Sequence, residues 1–531
     1  MSSASTTTCH PVLIAGQWRE ASFTEVFRAT DPNRNAAIDR AFPISDWDDI
    51  DAALDAAVDA AKELRRTASA KIADFLEAFA AKIVANSSLL VAVAFEETGL
   101  AKQPRLADVE LPRTVNQLRL AATAARSGEW AGAVIDTKAG IRASLEPLGP
   151  VCVFGPNNFP FAFNSASGGD FAAAIAAGNP VIAKANSSHP ETTRIMATLA
   201  KDAIDEVGLP SATVQLIYRT SHADGERMVS DHRCGATGYT GSRSAGLTLK
   251  AAADRAGKPM YAELSSVNPV VITPAALAER GDKLVEEYVG SVLMGSGQFC
   301  TNPGLILLVK GEQSDAFVSG VTAKFAAATP GTLLSPAVAK SLAASIKMLC
   351  GAGAKLLTGG GTPHADRCAV ANTWLQATGE QFLADPAAFQ TEAFGNASMV
   401  VIADSVDELV DVIDSLEGNL TGCVYSAASG DEEVYAKLAF ALAPKVGRLL
   451  NDKMPTGVAV SPAMNHGGPF PATCHPGFTA VGIPAAIVRF GKLTCYDNVR
   501  HDRLPSLLRD KNPTGSTWRR IDGNWTIGDV S

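Results

Sequence analysis

The chain lacks the marks of several classes at once. Its nine cysteines form an odd set with no Cys-x-x-Cys pair and no Cys/His spacing suited to zinc. The adjacent pairs Cys9-His10 and Cys474-His475 lack the further ligands a site needs, so no metal is expected and reduced thiols are the simplest reading. Long apolar runs are missing too. The most apolar stretch, 171–183, is interrupted by Gly178-Asn179-Pro180, far short of a membrane span. Residues 1–8 carry neither a basic n-region nor an apolar h-region, so no secretory signal is expected and the cytoplasm is the default location. Positive charge is short: 46 Lys and Arg against 55 Asp and Glu leave a net −9, which speaks against nucleic acid as a partner. Internal repeats and low-complexity tracts are absent. What is present is 47% hydrophobic residues over 531 positions, enough to build two to four packed domains.

Periodicity divides the chain. Ile72, Phe75, Leu76, Phe79 and Ile83 recur at helical spacing within 70–85, and Ser45 or Asp46 is placed to cap an earlier helix containing Ile50, Leu54 and Val58. From about residue 150 short apolar strands (151–154, 181–185, 214–218, 234–239) alternate with helix-compatible stretches (165–177, 192–207, 224–229). A second alternating region has strand candidates at 305–309, 399–402, 422–425 and 447–450. Such alternation implies crossover connections and parallel sheets covered on both faces, hence two α/β domains in sequence.

Cys300 stands out among the thiols. It follows the glycine-punctuated stretch Gly295-Ser296-Gly297-Gln298-Phe299 and precedes an apolar strand pattern. Small neighbours expose a sulfur and let backbone N–H groups approach what it attacks; the alternative is a buried, inert thiol. Two strand ends suit an anion. Thr240-Gly241-Ser242-Arg243-Ser244-Ala245-Gly246 is a glycine-rich strand-to-helix turn, a place for phosphate or simply a turn. Lys184 ends a buried strand, where its charge needs solvent or an anion. No acid follows it closely, and Arg219 comes after the next strand, a pattern that leans towards a cofactor with a 2′-phosphate.

Five motifs in order now carry a resemblance: Gly155-Pro156-Asn157-Asn158-Phe159-Pro160, Tyr239-Thr240-Gly241-Ser242, Ala262-Glu263-Leu264, Gly297-Gln298-Phe299-Cys300 and Glu392-Ala393-Phe394-Gly395. Over nearly its whole length the chain resembles the aldehyde dehydrogenase superfamily. Ser265-Ser266 replaces the usual glycine pair after the base motif, and Ser187 stands where NAD-preferring members carry a glutamate. With Met464-Asn465-His466-Gly467-Gly468-Pro469-Phe470-Pro471, these departures resemble the NADP-using branch of α-ketoglutarate semialdehyde and bacterial fatty-aldehyde dehydrogenases.

The resemblance implies an α/β fold with a Rossmann-like NAD(P)-binding domain (1–137 and 151–265), a catalytic domain (266–475) and a small β oligomerisation flap (138–150 and 483–499). The flap joins a hairpin to a C-terminal strand near 485–490 and makes a homodimer or homotetramer; the tail 500–531, with Trp518 and Trp525, has no assigned role. It implies Cys300 as nucleophile, Glu263 as general base and Asn158 as oxyanion donor, with Lys184, Ser187, Arg219, Gly241, Ser242, Glu392 and Phe394 holding NADP, NAD being admitted as well. An aldehyde becomes a carboxylic acid through a thiohemiacetal and a thioester. The expected substrate is α-ketoglutarate semialdehyde (2,5-dioxopentanoate), giving 2-oxoglutarate, with Arg113 and Arg119 as candidate partners for its carboxylate or else a solvated helix face. The alternative is a fatty or other aliphatic aldehyde in a tunnel lined by Phe161, Phe163 and Phe470. A CoA-acylating enzyme and a non-catalytic binding protein on the same fold are further readings. Glu263 counts against the first, and the intact nucleophile, base and asparagine against the second.

Overall fold

Runs of four or five apolar residues form strands buried on both faces, as parallel sheets require. The computed structural model describes residues 9–531, so the stretch 1–8 read for a signal lies outside the described residues. A first seven-stranded sheet runs in the order Met260–Glu263, Ala236–Thr240, Val151–Phe154, Val181–Lys184, Val214–Ile217, Val12–Ile14, Gln17–Arg19. Its first five strands are parallel, and Val12–Ile14 and Gln17–Arg19 are added antiparallel. Strand order reverses at Val151–Phe154, so the carboxyl ends of Val151–Phe154, Val181–Lys184 and Ala236–Thr240 open together into a crevice.

The helices predicted from periodicity are present. Ser69–Ala85 buries Ile72, Phe75, Leu76, Phe79 and Ile83 in the core of this first unit. The helix Trp47–Leu64 is capped by Asp46, whose side chain accepts from Asp48 N–H; Ser45 instead takes the backbone N–H of Tyr218 through its hydroxyl. The helix expected over 165–177 begins only at Gly169, because Gly168 packs against the Phe163 backbone, where a Cβ would lie 2.5 Å from its Cα. Among the described residues no single helix is long and apolar enough to cross a membrane.

The second seven-stranded sheet has the order Lys355–Gly360, Ala371–Thr378, Ala397–Ala403, Leu305–Val309, Val270–Ile272, Asn419–Tyr425, Val446–Asn451. Only Lys355–Gly360 is antiparallel to its neighbour. The three strands Val270–Ile272, Lys355–Gly360 and Ala371–Thr378 were not among the sequence-based candidates. The first is only three residues long, and the last carries Asn372, Thr373 and Gln376 among its apolar positions.

A five-stranded sheet, Gly491–Asp497, Ile141–Pro147, Val134–Asp136, Arg519–Ile521, Asn524–Thr526, stands apart from both. The expected C-terminal strand near 485–490 is a correction: Ala485–Val488 is a short helix and the strand is Gly491–Asp497, paired in full with Ile141–Pro147. The spacing explains the shift. Ile483, Ala486, Ile487 and Phe490 fall on one helical face and are buried in the first unit's core. The tail, which had no expected place, supplies two strands of this sheet. Arg519, fully buried, pins it by donating to the carbonyls of Leu507, Arg509, Asp510 and Gly528.

One buried ion pair joins the C-terminal segment to the first unit: Arg489 Nη2 donates to Asp170 Oδ1 at 2.7 Å, and the guanidinium lies 4.9 Å from the ring centres of Phe478 and Phe490. Removing one partner strands the other charge, so Asp170→Ala should cost about 3–5 kcal/mol. Urea unfolding should give a lower midpoint for that variant and a recovered one for Asp170→Ala/Arg489→Met; equal midpoints for wild type and Asp170→Ala would show that the pair contributes nothing.

Candidate active site

Cys300 ends a turn of unusual backbone. Gly295, Ser296 and Gly297 all have positive φ, 54°, 58° and 69°. Glycine is required at Gly297 twice over, since a Cβ there would lie 2.0 Å from the Gly395 carbonyl oxygen. That approach locks the nucleophile turn to the Glu392-Ala393-Phe394-Gly395 loop. Gln298 fastens the turn from its other side: its Nε2 donates to the Gly295 and Thr332 carbonyls and its Oε1 accepts from Leu334 N–H. Asn268 Nδ2 donates to the carbonyls of Cys300 and Asn302, while Ser266 Oγ donates to Asn268 and Asn419. The serine that departs from the expected glycine pair therefore braces the loop that holds the thiol.

Asn158 lies in a turn and caps no helix; the next helix starts eleven residues later, at Gly169. Its Nδ2 donates to the Gln298 carbonyl at 3.0 Å, leaving the amide's other N–H for an oxyanion beside Cys300. Glu263 closes the strand Met260–Glu263 and is 1% exposed. Residues 472–474 run along that strand, with Leu264 N–H donating to the Ala472 carbonyl and Cys474 N–H to the Ala262 carbonyl. They bring in a residue the sequence reading placed in a branch motif without giving it a role. His466 Nε2 lies 3.3 Å from Cys300 Sγ and 3.2 Å from Glu263 Oε1, so the imidazole bridges the thiol and the carboxylate. The one signal for it in the sequence is its position in a glycine-rich loop. The structural counterpart is tight packing: a Cβ on Gly467 would meet the Phe478 carbonyl oxygen at 2.0 Å.

Burial pushes the Cys300 thiol well above its usual range, and the Glu263 charge and a hydrogen bond to Glu263 push it the same way. Arg113 opposes them. Its own pKa is lowered by burial, its Nη1 donates to the Val458 carbonyl at 2.9 Å, and its Nη2 meets no acceptor among the described residues. It lies over the rings of Phe159 and Phe163. Arg119, its expected companion, faces away and pairs with Glu77 at 3.6 Å on an exposed helix face. Of the three tunnel phenylalanines, only Phe163 belongs to the apolar cluster of Phe159, Phe299, Phe478, Ala480 and Val481. Phe161 is wholly buried in the first unit's core, and Phe470 is 62% exposed.

Lys184, Ser187, Arg219, Gly241 and Ser242 line one cleft of roughly 590 Å³ at the crevice where strand order reverses. Ser242 caps the helix Arg243–Arg255, accepting from Ala245 N–H, so a helix N-terminus faces the cleft. Burial, helped by the charge of Arg219, lowers the Lys184 pKa to about 8. One acid that the sequence reading did not place here also lines the cleft, Glu226, which lies 3.8 Å from Arg255. Glu392 and Phe394 lie elsewhere, around a smaller pocket with Ser266, Gly297 and Phe299. Burial raises the Glu392 carboxyl to about 8 against the Ser266 N–H, which holds it down, while the Glu263 charge adds to the rise.

Residues 18–464 match the model of the aldehyde dehydrogenase family. The chain is 38% identical over 513 residues to alpha-ketoglutaric semialdehyde dehydrogenase 2 of Azospirillum brasilense, covering 94% of this chain and 97% of that one. It is 38% identical over 488 residues to the alpha-ketoglutaric semialdehyde dehydrogenase of Acinetobacter baylyi, covering 90% and 91%. The crystal structure of lactaldehyde dehydrogenase from Escherichia coli superposes with a TM-score of 0.80 at 22% identity, over 92% of this chain and 98% of that one.

The electrostatics of the thiol can be read by alkylation. Arg113→Met removes a cation that lowers the Cys300 pKa, so iodoacetamide should label Cys300 more slowly at a fixed neutral pH and its rate–pH profile should move upward. An unchanged profile would mean that the guanidinium charge does not reach the sulfur.

Proposed function

The chain belongs to the aldehyde dehydrogenase family, and on that premise we propose that it oxidises α-ketoglutarate semialdehyde to 2-oxoglutarate with NADP as the preferred acceptor. The observation that carries the substrate is Arg113: a half-buried guanidinium over an aromatic cluster, electrostatically coupled to Cys300, with one nitrogen unpartnered. A carboxylate a few carbons from the reacting aldehyde satisfies that nitrogen through a charge-assisted bond. The names of the two relatives at 38% identity point to the same substrate.

In the proposed reaction, Cys300 loses its proton towards His466 and Glu263 as the sulfur attacks the aldehyde carbon, and the new oxyanion takes the second N–H of Asn158. A nicotinamide cofactor, held by Lys184, Arg219 and the Ser242 helix terminus in the cleft and by Glu392 and Phe394, would supply the acceptor for the hydride. Once the proton taken from Cys300 has passed to solvent, Glu263 deprotonates the water that adds to the thioester, and the departing thiolate is reprotonated as the acid leaves. His466, touching both groups, carries the proton between them. A flap that pairs Gly491–Asp497 with a second copy is part of the same proposal, since that edge strand exposes Leu493 to 74%.

NADP is favoured because Lys184 and Arg219 share a cleft wall, and Lys184 recovers its charge against a 2′-phosphate. In the free protein Lys184 is charged below about pH 8 and loses its charge above it. Affinity for NADP should therefore fall as pH rises through that value, while NAD, which has a neutral hydroxyl in place of the phosphate, is unaffected by this group. The NADP-to-NAD affinity ratio should drop by about tenfold, the worth of one charged hydrogen bond. A ratio that stays flat across that range, or a clear preference for NAD, would refute the assignment.

Substrate and arginine are tested together by steady-state kinetics on α-ketoglutarate semialdehyde and on unsubstituted aliphatic aldehydes. Arg113→Ala should raise KM for the semialdehyde by ~10- to 100-fold and leave KM for a neutral aldehyde of similar length nearly unchanged. A wild-type preference for long aliphatic aldehydes would instead favour the fatty-aldehyde reading.

A further inference from the structure

Spacing in the sequence offered no metal site, yet folding assembles one donor of each kind around the thiol. Cys300 Sγ, His466 Nε2 and one Glu263 carboxylate oxygen all lie within 4.8 Å of one another, with Sγ–Nε2 at 3.3 Å and Nε2–Oε1 at 3.2 Å. Tetrahedral zinc, with bonds of about 2.0–2.1 Å to nitrogen and oxygen and about 2.3 Å to sulfur, has ligand-to-ligand edges of roughly 3.3–3.6 Å. Two edges are already close to that length, and the third, at most 4.8 Å, needs a side-chain adjustment of no more than about 1.2–1.5 Å. A second observation points the same way. Glu263 is 1% exposed, and its Oε2 is buried with no hydrogen-bond partner among the described residues, so the carboxylate beside Cys300 and His466 retains an unsatisfied oxygen.

We propose that Cys300, His466 and Glu263 form a three-ligand site for a divalent cation of the zinc class, and that filling it switches the enzyme off reversibly. Sulfur, imidazole and carboxylate together suit zinc, cadmium or cobalt(II) and disfavour magnesium and calcium, which take oxygen ligands. On binding, the thiol gives up its proton to solvent, the neutral imidazole donates its Nε2 lone pair, and the two anionic ligands balance the ion's charge. The fourth position takes water. The sulfur pair that would attack a carbonyl is then held in a metal bond, and the carboxylate that would deprotonate water is a ligand. The proposal rests on these donor positions and not on which aldehyde or cofactor the enzyme prefers.

Cobalt(II) is the probe, because its spectrum reports ligands without any need for turnover. Titrating the full-length, reduced protein should saturate at one equivalent, with a thiolate-to-cobalt charge-transfer band and visible bands of tetrahedral intensity. Cys300→Ser should abolish the charge-transfer band, and His466→Asn or Glu263→Gln should weaken binding more than about 100-fold, the upper end of what losing an outer partner of a metal ligand costs. Cys495→Ser, which alters an exposed thiol in the third sheet, should change neither stoichiometry nor affinity. A band that persists in Cys300→Ser, or an octahedral spectrum with no thiolate band, overturns the proposal. Should the His466 or Glu263 variants fail to fold, the wild-type protein still decides. Zinc, but not magnesium, must protect Cys300 from alkylation in peptide mapping, and EDTA must restore both labelling and turnover; labelling of Cys300 at full rate in zinc overturns the proposal.

Discussion

Glu263 holds its carboxyl inside the protein, and among the described residues no Lys or Arg pairs with it; its neighbours are the His466 imidazole, 3.2 Å from Oε1, and the Cys300 thiol. Taking an ionised carboxylate out of water costs several kcal/mol unless hydrogen bonds or a partner charge compensate, and here one oxygen is left without either. That cost is tolerated because the surroundings leave the side chain no exit. The strand that carries it is paired in register, Thr240 opposite Glu263, and residues 472–474 close its other edge. His466 enters on a loop whose glycines pack backbone against backbone. A reactive centre follows from this arrangement, because burial first and the Glu263 charge second make the Cys300 thiol less stable charged than it would be in water.

The same bias recurs around the site with both signs. Burial raises Cys300 and Glu392, and burial lowers Arg113 and Lys184. None of the four has its ordinary affinity for protons in the free protein, and in the proposed reaction each meets a group of complementary character: a carbonyl carbon for the thiolate, hydroxyls for the carboxyl, anions for the two cations. The fold keeps the cations apart, Arg113 above the aromatic cluster near the thiol and Lys184 at the strand-end crevice. In the proposed reaction, the substrate carboxylate and the 2′-phosphate would thereby each meet a separate cation.

Much of this was legible in the sequence where a local rule governs. Parallel strands such as Val151–Phe154 and Leu305–Val309 are continuous apolar runs, and the stripe of Ser69–Ala85 follows from helical spacing alone. The cleft residues were legible because a strand-to-helix turn fixes its own geometry: Ser242 caps the helix that Gly241 allows to approach Tyr239. What stayed hidden depends on long-range packing. His466 touches Cys300 across 166 residues, and no periodicity marks it. Arg113 and Arg119 share a helix and look equivalent in sequence, yet only the tertiary structure decides which one meets Val458 and which one meets Glu77 and solvent. The strand at Gly491–Asp497 was displaced from its expected place because Ile483, Ala486, Ile487 and Phe490 answer to the core of another unit.

The groups of the proposed reaction come from separate sheets, which makes their mutual geometry a property of how the two units are clamped. Glu263 belongs to the first sheet, Cys300 precedes the strand Leu305–Val309 of the second, and His466 follows the second sheet's last strand. Apolar surfaces would hold the units together but would let them slide, since burial has no direction. The contacts between them that flank the site are directional instead. Asn158 Nδ2 donates to the Gln298 carbonyl, Arg113 Nη1 to the Val458 carbonyl, and Arg243 Nη2 to both carboxylate oxygens of Glu417 at 2.9 and 2.8 Å. Hydrogen bonds weaken steeply with misalignment, so such a set defines one arrangement far more narrowly than apolar packing does. Two of these clamps, Asn158 and Arg113, are also the groups that meet the substrate in the proposed reaction. Positioning the sulfur and positioning the aldehyde are therefore done by the same side chains, and an error in either displaces the other.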